Sequence, residues 1–168
     1  MKLTIRKENP EDFKAVFNLI EKAFENEQMS DHKEQFLVER LRKSNAFVPE
    51  LSMVAETENK IVGHILLTKL KIKNKTNEFD SLALAPVSVL PEFQGKGMEA
   101  AMVVHFEDIV SQPDFPYKTL ELNWIGDFNP TMMKVSKMIG GQEHKKHTTY
   151  RMPIVDHFEF HRAKVVNK

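Results

Sequence analysis

The sequence predicts an α+β domain in which helices cover a central mixed β-sheet. Three observations lead to this fold class. Apolar residues recur at helical spacing in the first forty residues, residues 51–90 alternate like consecutive strands, and a glycine-rich turn then opens another helix. At 168 residues the chain suits one domain, predicted to span residues 1–152, with a tail at residues 153–168.

The composition excludes several classes of function. Without cysteine the chain has no disulfide, catalytic thiol or cysteine-ligated zinc. Its 24 basic and 24 acidic residues balance, so the overall charge favours neither nucleic acid nor an anionic membrane. No signal-like or membrane-spanning apolar run is present, and a cytoplasmic protein is expected. His144 and His147 would lie on opposite faces of a strand, so no metal site is expected.

The first elements follow from spacing and capping signals. Leu3 and Ile5 alternate as in a short strand, and Asn9 followed by proline is typical of a helix start. That helix is predicted to end near Asn26, and a second is predicted after Ser30. Their apolar faces, expected in the core, are Phe13, Val16, Phe17, Ile20 and Phe24 in the first helix and Phe36, Leu37 and Leu41 in the second.

The centre of the chain predicts an antiparallel meander followed by a helix. The strands are expected at residues 51–55, 61–70 and 82–90. A glycine-rich turn at residues 94–97 then opens a helix that ends before Pro113. The residues expected on its core face are Met98, Ala101, Met102, His105 and Ile109.

Three further elements complete the predicted sheet and its cover. A strand at residues 119–124 follows a long helical connection, which permits parallel pairing and makes the sheet mixed. Asn129 followed by proline opens a short helix through Ile139, which two glycines then end. A last strand is predicted at residues 142–152.

The turn between the third meander strand and its helix has the composition of an anion site. Gly95 and Gly97 let the backbone fold closely around a ligand, and free N–H groups at the helix start favour phosphate or pyrophosphate. Lys96 could add positive charge. The spacing fits neither a P-loop nor a dinucleotide-binding turn. A plain turn without a ligand is the alternative.

Residues 84–97, which read LAPVSVLPEFQGKG, resemble motif A of the GNAT N-acetyltransferases, particularly the YhbS-like group. Residues 24–27, 30–32 and 62–67 are similar to that group as well, so the resemblance covers residues 1–97. Residues 122–130 and 146–151 look more like another GNAT branch. A hybrid chain, natural or engineered, is one interpretation of this difference.

The resemblance implies acetyl-CoA as the cofactor. The backbone of Val87 and Val89 would pair with the pantetheine arm like an added strand. The pyrophosphate would lie at the turn. In the family an asparagine at the position of Asn129 faces the pantetheine region, and a plain helix cap is the alternative. The turn residues expected to bind the cofactor are Gln94, Gly95, Lys96, Gly97, Met98, Glu99 and Ala100.

Two positions depart from the family pattern. Glu99 replaces a small neutral residue, and a carboxylate roughly 6 Å from a phosphate costs about 3 kcal/mol at an effective dielectric constant near 20. The alternative is that Glu99 stabilises the helix start through the helix dipole. Ser136 stands where many members carry a tyrosine that serves as general acid.

The residues that would transfer protons or bind the acceptor amine are less well defined by the sequence. Glu121 on the predicted fifth strand is a candidate general base, and Tyr150 is a candidate proton donor. In this fold the loop after the first helix walls the acceptor site. Glu25, Glu27 and Asp31 in that loop would attract a cationic amine.

These features predict an enzyme that moves an acetyl group from acetyl-CoA to a primary amine of a small molecule or peptide. Direct attack of the neutral amine requires no protein nucleophile, and the Val89 N–H is the best candidate to polarise the thioester carbonyl. A noncatalytic acyl-CoA-binding module is the alternative. A homodimer is possible, and a pure dimer scaffold would leave the glycine-rich turn unexplained.

Overall fold

The computed structural model describes residues 2–27, 30–116, 125–126, 130–138, 140–143, 146 and 148. The chain divides into two compact units, residues Met1–Thr119 and Leu120–Lys168, and each is described by itself. The prediction of one domain spanning residues 1–152 stays a prediction.

The first unit contains a four-stranded antiparallel sheet in the order β1-β2-β3-β4. Glu58 and Asn59 connect β2 to β3 with φ angles of 51° and 61°, as a tight two-residue hairpin turn requires. This arrangement confirms the predicted meander. The strand predicted at residues 119–124, with its parallel pairing, lies outside the described residues. Of the strand predicted at residues 142–152 the structure describes residues 142, 143, 146 and 148, and none of these four lies in a strand. The strands are β1 (Leu3–Lys7), β2 (Phe47–Thr57), β3 (Lys60–Lys73) and β4 (Glu78–Val89).

A bulge interrupts β4 just before its last residues. Ile65 is opposite Val87, but Leu67 is opposite Leu84, so β4 has one residue more than β3 across this step. Pro86 lies within the bulge. The regular ladder of hydrogen bonds between β3 and β4 is interrupted there, so the missing N–H of proline removes no ladder hydrogen bond. The bulge therefore separates residues 78–84 of β4 from Val87–Val89.

The helices begin and end close to the predicted positions. Asn9 precedes a 3-10 turn at Pro10–Asp12, and its N–H donates to Asp12 Oδ2 at 2.8 Å. Gly140, with φ of 78°, ends the last helix, as the sequence predicts. The helices are α1 (Phe13–Phe24), α2 (Glu34–Arg42), α3 (Met98–Val110) and, in the second unit, α4 (Pro130–Met138).

The buried faces of the helices differ in part from the predicted ones. In α2 the buried residues are Gln35 and Val38, whereas Phe36 is 46% exposed and meets Phe17 edge to face at 5.3 Å between ring centroids. The prediction that Phe36 lies in the core is therefore wrong, because the buried face of α2, which carries Gln35 and Val38, is rotated from the apolar stripe. The helical core residues are Val16, Leu19 and Ile20 of α1 and Met98, Met102, Val103 and Phe106 of α3.

Helix α3 approaches the sheet closely at one glycine of β3. A Cβ atom on Gly63 would lie 3.0 Å from Met102 Sδ and 3.2 Å from the Cβ of Ala55. Such distances are shorter than normal van der Waals contact. The absence of a side chain at Gly63 therefore allows α3 to lie at its observed distance from β2 and β3.

The hairpin of β3 and β4 continues as an arm past the end of β2. The last pair between β2 and β3 is Phe47 opposite Thr68, whereas β3 and β4 stay paired up to Lys73 opposite Glu78. Ile72 and Phe79, which are opposite each other, are 48% and 54% exposed. The strands are therefore longer than the sequence predicts.

Within the described ranges, no helix is long and apolar enough to cross a membrane.

Candidate functional site

The end of β4 directs backbone groups away from β3. The Leu90 N–H donates to the Val62 carbonyl at 2.9 Å, so by strand alternation Val87 and Val89 direct their N–H and C=O groups to the opposite edge. The Val89 carbonyl accepts a hydrogen bond from Gln94 Nε2 at 3.0 Å. No strand of the described part of the chain pairs with this edge. An extended ligand could therefore pair there with Val87 and with the Val89 N–H.

The chain leaves β4 through a 3-10 turn at Pro91–Phe93 and then passes through two left-handed glycines. Gly95 has φ of 69° and Gly97 has φ of 84°, a region that favours glycine. No heavy atom lies within 4 Å of the position that a Cβ would take on either residue. These glycines are therefore required for backbone conformation rather than for internal packing, and space remains beside them for a ligand.

A run of amide groups follows at the start of α3. The Gln94 N–H donates to the Leu90 carbonyl at 3.2 Å, and the Ala101 N–H donates to the Gly97 carbonyl at 2.9 Å. The N–H groups between these two belong to the turn and to the first turn of the helix, where intrahelical acceptors do not exist. They form a set of donors, reinforced by the helix dipole, that fits the pyrophosphate of a cofactor such as acetyl-CoA.

Charged side chains surround this turn. Lys96 Nζ donates to the Glu92 carbonyl at 2.7 Å and lies 5.5 Å from the centre of the Phe93 ring. Lys60 Nζ lies 5.6 Å from the same ring and 3.0 Å from Glu92 Oε1. Glu99 lies in the first turn of α3 and is half-buried. Lys96 therefore stabilises the turn itself.

The predicted acceptor-binding residues Glu25, Glu27 and Asp31 are exposed in the described parts of the loop between α1 and α2. Asp31 Oδ1 accepts from the Lys33 N–H at 3.1 Å. His32 has φ of 57°, and its Nδ1 lies 2.9 Å from the Phe24 carbonyl. These contacts order the loop on either side of residues 28–29, and the role of its carboxylates stays a prediction.

Of the three predicted proton-transfer residues, the structure describes Ser136. It lies in α4, half-buried, and its carbonyl accepts from the Gly141 N–H at 2.9 Å. A Cβ on Gly141 would lie 2.7 Å from that oxygen, which explains a glycine at this helix end. Glu121 and Tyr150, together with the predicted cofactor residue Asn129, lie outside the described residues.

A buried polar cluster escaped the sequence analysis. Glu8 follows β1, Arg42 ends α2, Ser52 lies in β2, and His64 lies in β3. The Glu8 carboxylate accepts from Arg42 Nη2 and Nε, the latter at 3.2 Å, and from the Ser52 hydroxyl at 2.7 Å. The side chains of Arg42 and Glu8 are only 6% and 1% exposed. Arg42 also stacks over the Phe13 ring at 4.2 Å.

His64 completes this cluster, and its pKa is far below that of an ordinary histidine. Its Nε2 lies 3.3 Å from Ser52 Oγ and 3.7 Å from Glu8 Oε1. Burial, with a smaller contribution from the Arg42 charge, lowers the pKa of His64 to about 3. His64 is therefore a neutral hydrogen-bonding group at neutral pH. A histidine on the same strand face as Val62 and Leu66 was the available signal in the sequence.

In the described ranges, no group of three or more histidine, cysteine, aspartate or glutamate side chains could hold a metal ion.

The geometry of Gly97 leads to a testable expectation. Gly97→Ala should lower the free energy of unfolding by about 1–2 kcal/mol, because a Cβ disfavours a left-handed backbone. Gly97→Asn is the matched control and should lose less, because asparagine adopts this conformation more readily. Urea unfolding of both variants measures the difference. Equal losses would show that strain at this residue does not matter.

Comparison with known proteins shows which family this chain resembles. Residues 4–119 match the family model described as an acetyltransferase (GNAT) domain. A segment of 71 residues is 38% identical to the uncharacterized N-acetyltransferase YjhQ of Escherichia coli K12. This segment is 42% of the chain and 39% of YjhQ, so the match spans well under half of that relative.

Solved structures confirm the fold. A GNAT family acetyltransferase from Brucella melitensis, solved in complex with acetyl-CoA, is 33% identical with a TM-score of 0.59, over 65% of this chain and 68% of that one. The YhbS protein of Escherichia coli, solved with CoA, is 22% identical with a TM-score of 0.53, over 66% of this chain and 57% of that one. The predicted α+β fold class, a central sheet flanked by helices as in the acyl-CoA N-acyltransferases, is confirmed, whereas the mixed character of the sheet stays a prediction.

Proposed function

Because the chain belongs to the GNAT acetyltransferase family, as residues 84–97 indicated, we propose that it transfers an acetyl group from acetyl-CoA to a primary amine. Enzymes of this family use acetyl-CoA as cosubstrate, and the related Brucella protein binds it. The observation that carries the proposal is the run of amide donors from Gly95 to Ala100, next to an edge of β4 with which no described strand pairs. This edge and this turn match two parts of one ligand, the pantetheine arm and the pyrophosphate.

Each part of β4 and the turn has its own role in binding. Val87 and the Val89 N–H pair with the pantetheine amides in the manner of an added strand. The Val89 carbonyl is held by Gln94 Nε2, so Gln94 fixes the turn against the strand. The amides of Gly95, Gly97 and their neighbours then receive the pyrophosphate. Binding therefore depends on backbone geometry more than on charged side chains.

The reaction itself is direct attack of the neutral amine on the thioester carbonyl. The new C–N bond forms as the C–S bond breaks, CoA leaves as thiolate or thiol, and the amine loses one proton. The Val89 N–H polarises the carbonyl, and holding both reactants together supplies much of the rate. Since CoA is a thiol with a pKa of about 8.5, its departure needs little help from an acid, so serine instead of tyrosine at position 136 costs little.

Removing the proton of the amine is the harder step. An alkylammonium with a pKa of about 10.4 costs roughly 4.6 kcal/mol to deprotonate at pH 7. Glu121 is the proposed base, and Tyr150 is the proposed donor to the thiolate. The exposed carboxylates of Glu25, Glu27 and Asp31 favour a cationic acceptor by attraction. The acceptor is accordingly an amine of a small molecule or a peptide.

Acetyl-CoA is expected to protect the amides of residues 94–100 against hydrogen exchange, because these donors gain phosphate acceptors. Hydrogen-exchange mass spectrometry with and without saturating acetyl-CoA measures this. The hairpin tip at residues 74–77 is the internal control and should not change. Equal exchange at the turn in both samples would refute the proposed cofactor site.

A turnover assay then separates an enzyme from a noncatalytic acyl-CoA-binding module. The departures at Glu99 and Ser136 are the observations that favour such a module. Release of free CoA thiol is followed with a panel of primary amines and peptides. Micromolar binding with amine-dependent CoA release supports the enzyme. Binding without release above the background hydrolysis supports the module.

A further inference from the structure

Two buried polar side chains belong to paired residues of β3 and β4. His64 and Ser88 are direct cross-strand partners, so their side chains project from the same face of the sheet. His64 is 0% exposed and Ser88 is 2% exposed. His64 Nδ1 and Ser88 Oγ are both buried, and neither has a hydrogen-bond partner in the described part of the chain.

The two atoms are complementary in hydrogen bonding. The Ser52 hydroxyl donates to Glu8, so its oxygen accepts from His64 Nε2 and the proton of the neutral imidazole lies on Nε2. His64 Nδ1 is then an acceptor. The Ser88 hydroxyl supplies a donor on the opposite strand. Directly opposed Cβ atoms lie about 5 Å apart in such a pair, so one water molecule can hydrogen-bond to both side chains.

We propose that one water molecule lies between Ser88 Oγ and His64 Nδ1 and completes a hydrogen-bonded chain from β4 to the ion pair of Glu8 and Arg42. Every donor in this chain points the same way, from Ser88 through water, His64 and Ser52 to the Glu8 carboxylate. A buried water normally bridges two to four polar groups that would otherwise be unsatisfied. The site has two such groups in adjacent positions.

The chain makes Ser88 a positioning residue for the proposed cofactor strand. Ser88 lies between Val87 and Val89, whose backbone groups face the open edge of β4. The bulge at Pro86 interrupts the ladder just before this segment, so the strand lacks regular pairing on one side of it. The hydrogen-bonded chain from the Ser88 side chain to the interior holds Val87 and Val89 in the position that pantetheine binding requires. This role rests on the proposed function, whereas the water site does not.

The test uses the full-length protein and three measurements. A crystal structure at about 1.5 Å resolution should show a water oxygen within hydrogen-bond distance of both His64 Nδ1 and Ser88 Oγ. Calorimetric titration of Ser88→Ala should give an acetyl-CoA dissociation constant raised about fivefold, the factor that corresponds to one hydrogen bond of about 1 kcal/mol. The ¹⁵N resonance of His64 Nδ1 should also shift in this variant.

Thr57→Val is the matched control. Thr57 is another buried hydroxyl without a described partner, but it lies at the far end of β2, opposite Leu3 and Lys60. It should leave both the acetyl-CoA affinity and the His64 resonance unchanged. A direct contact between His64 and Ser88 in the electron density, or a gap without water, would overturn the water site.

The positioning role has its own decisive outcome. If Ser88→Ala binds acetyl-CoA as tightly as the wild-type protein, the role in binding is wrong even where the water is seen. If the wild-type protein itself does not bind acetyl-CoA, the proposed function fails, and the electron density still decides whether the water site exists.

Discussion

Arg42→Met is expected to lower the free energy of unfolding by about 3–5 kcal/mol, because it leaves the Glu8 carboxylate buried without its cation. Methionine replaces the guanidinium over the Phe13 ring with a flexible apolar group, so the loss reports mainly on the charge. Typical domains are stable by 5–15 kcal/mol, so this is a large share of the total. Urea unfolding monitored by circular dichroism measures it.

Two further variants make this expectation specific to the buried pair. Lys7→Met breaks a surface ion pair with Glu50 at 2.9 Å and should change stability by no more than the measurement error. Arg42→Met combined with Glu8→Gln removes both charges and should recover part of the loss. If the double variant is no more stable than Arg42→Met alone, the uncompensated charge is not the cause.

Acidification from pH 6.5 to 5.0 should lower the free energy of unfolding by about 1.7 kcal/mol through His64 alone. The folded protein lowers the pKa of His64 from 6.5 to about 3, because of burial first and the Arg42 charge second. Below pH 6.5 the unfolded chain therefore binds a proton that the folded chain rejects. Stability then falls with falling pH at about 1.36 kcal/mol per unit. The loss would continue to about pH 3.

The control for this titration is His64→Gln, measured by urea unfolding at the same pH values. Glutamine does not titrate, so the slope between pH 6.5 and 5.0 should be shallower by nearly one proton. The window avoids carboxylates such as Asp12, whose pKa a hydrogen bond from Arg6 lowers and whose contribution is lost only below about pH 4. Equal slopes in both proteins would show that another group is responsible.

Short-range signals in the sequence predicted much of the fold. Asn9 with its proline and the glycine turn before α3 each fix local backbone geometry through properties of single residues. The candidate cofactor site could be predicted for the same reason, because its groups are backbone amides ordered by Gly95 and Gly97. Its proton-transfer residues depend on long-range positions that local patterns do not encode.

The buried cluster could not be predicted, because its members are far apart in sequence. Glu8 and Arg42 are 34 positions apart, and each alone has the composition of a surface residue. The arm beyond β2 was missed for a related reason. Its lysines and acidic residues pair across the hairpin, as Lys71 does with Glu78. Strands are predicted from alternating apolar residues, which this charged arm lacks.

Gly63 also limits how far the interior of this protein can be redesigned. It lies opposite Val89 of β4 and beneath Met102 of α3. Gly63 therefore contacts both β4, the strand proposed to bind pantetheine, and α3, the helix whose first turn carries the amide donors. Any larger residue there would push these two parts away from each other. A change made to fill the core would thus alter the spacing between Val89, which is proposed to polarise the thioester, and the amides at the start of α3, which are proposed to bind the pyrophosphate. Efforts to change the acyl chain length that the protein accepts should leave this position untouched.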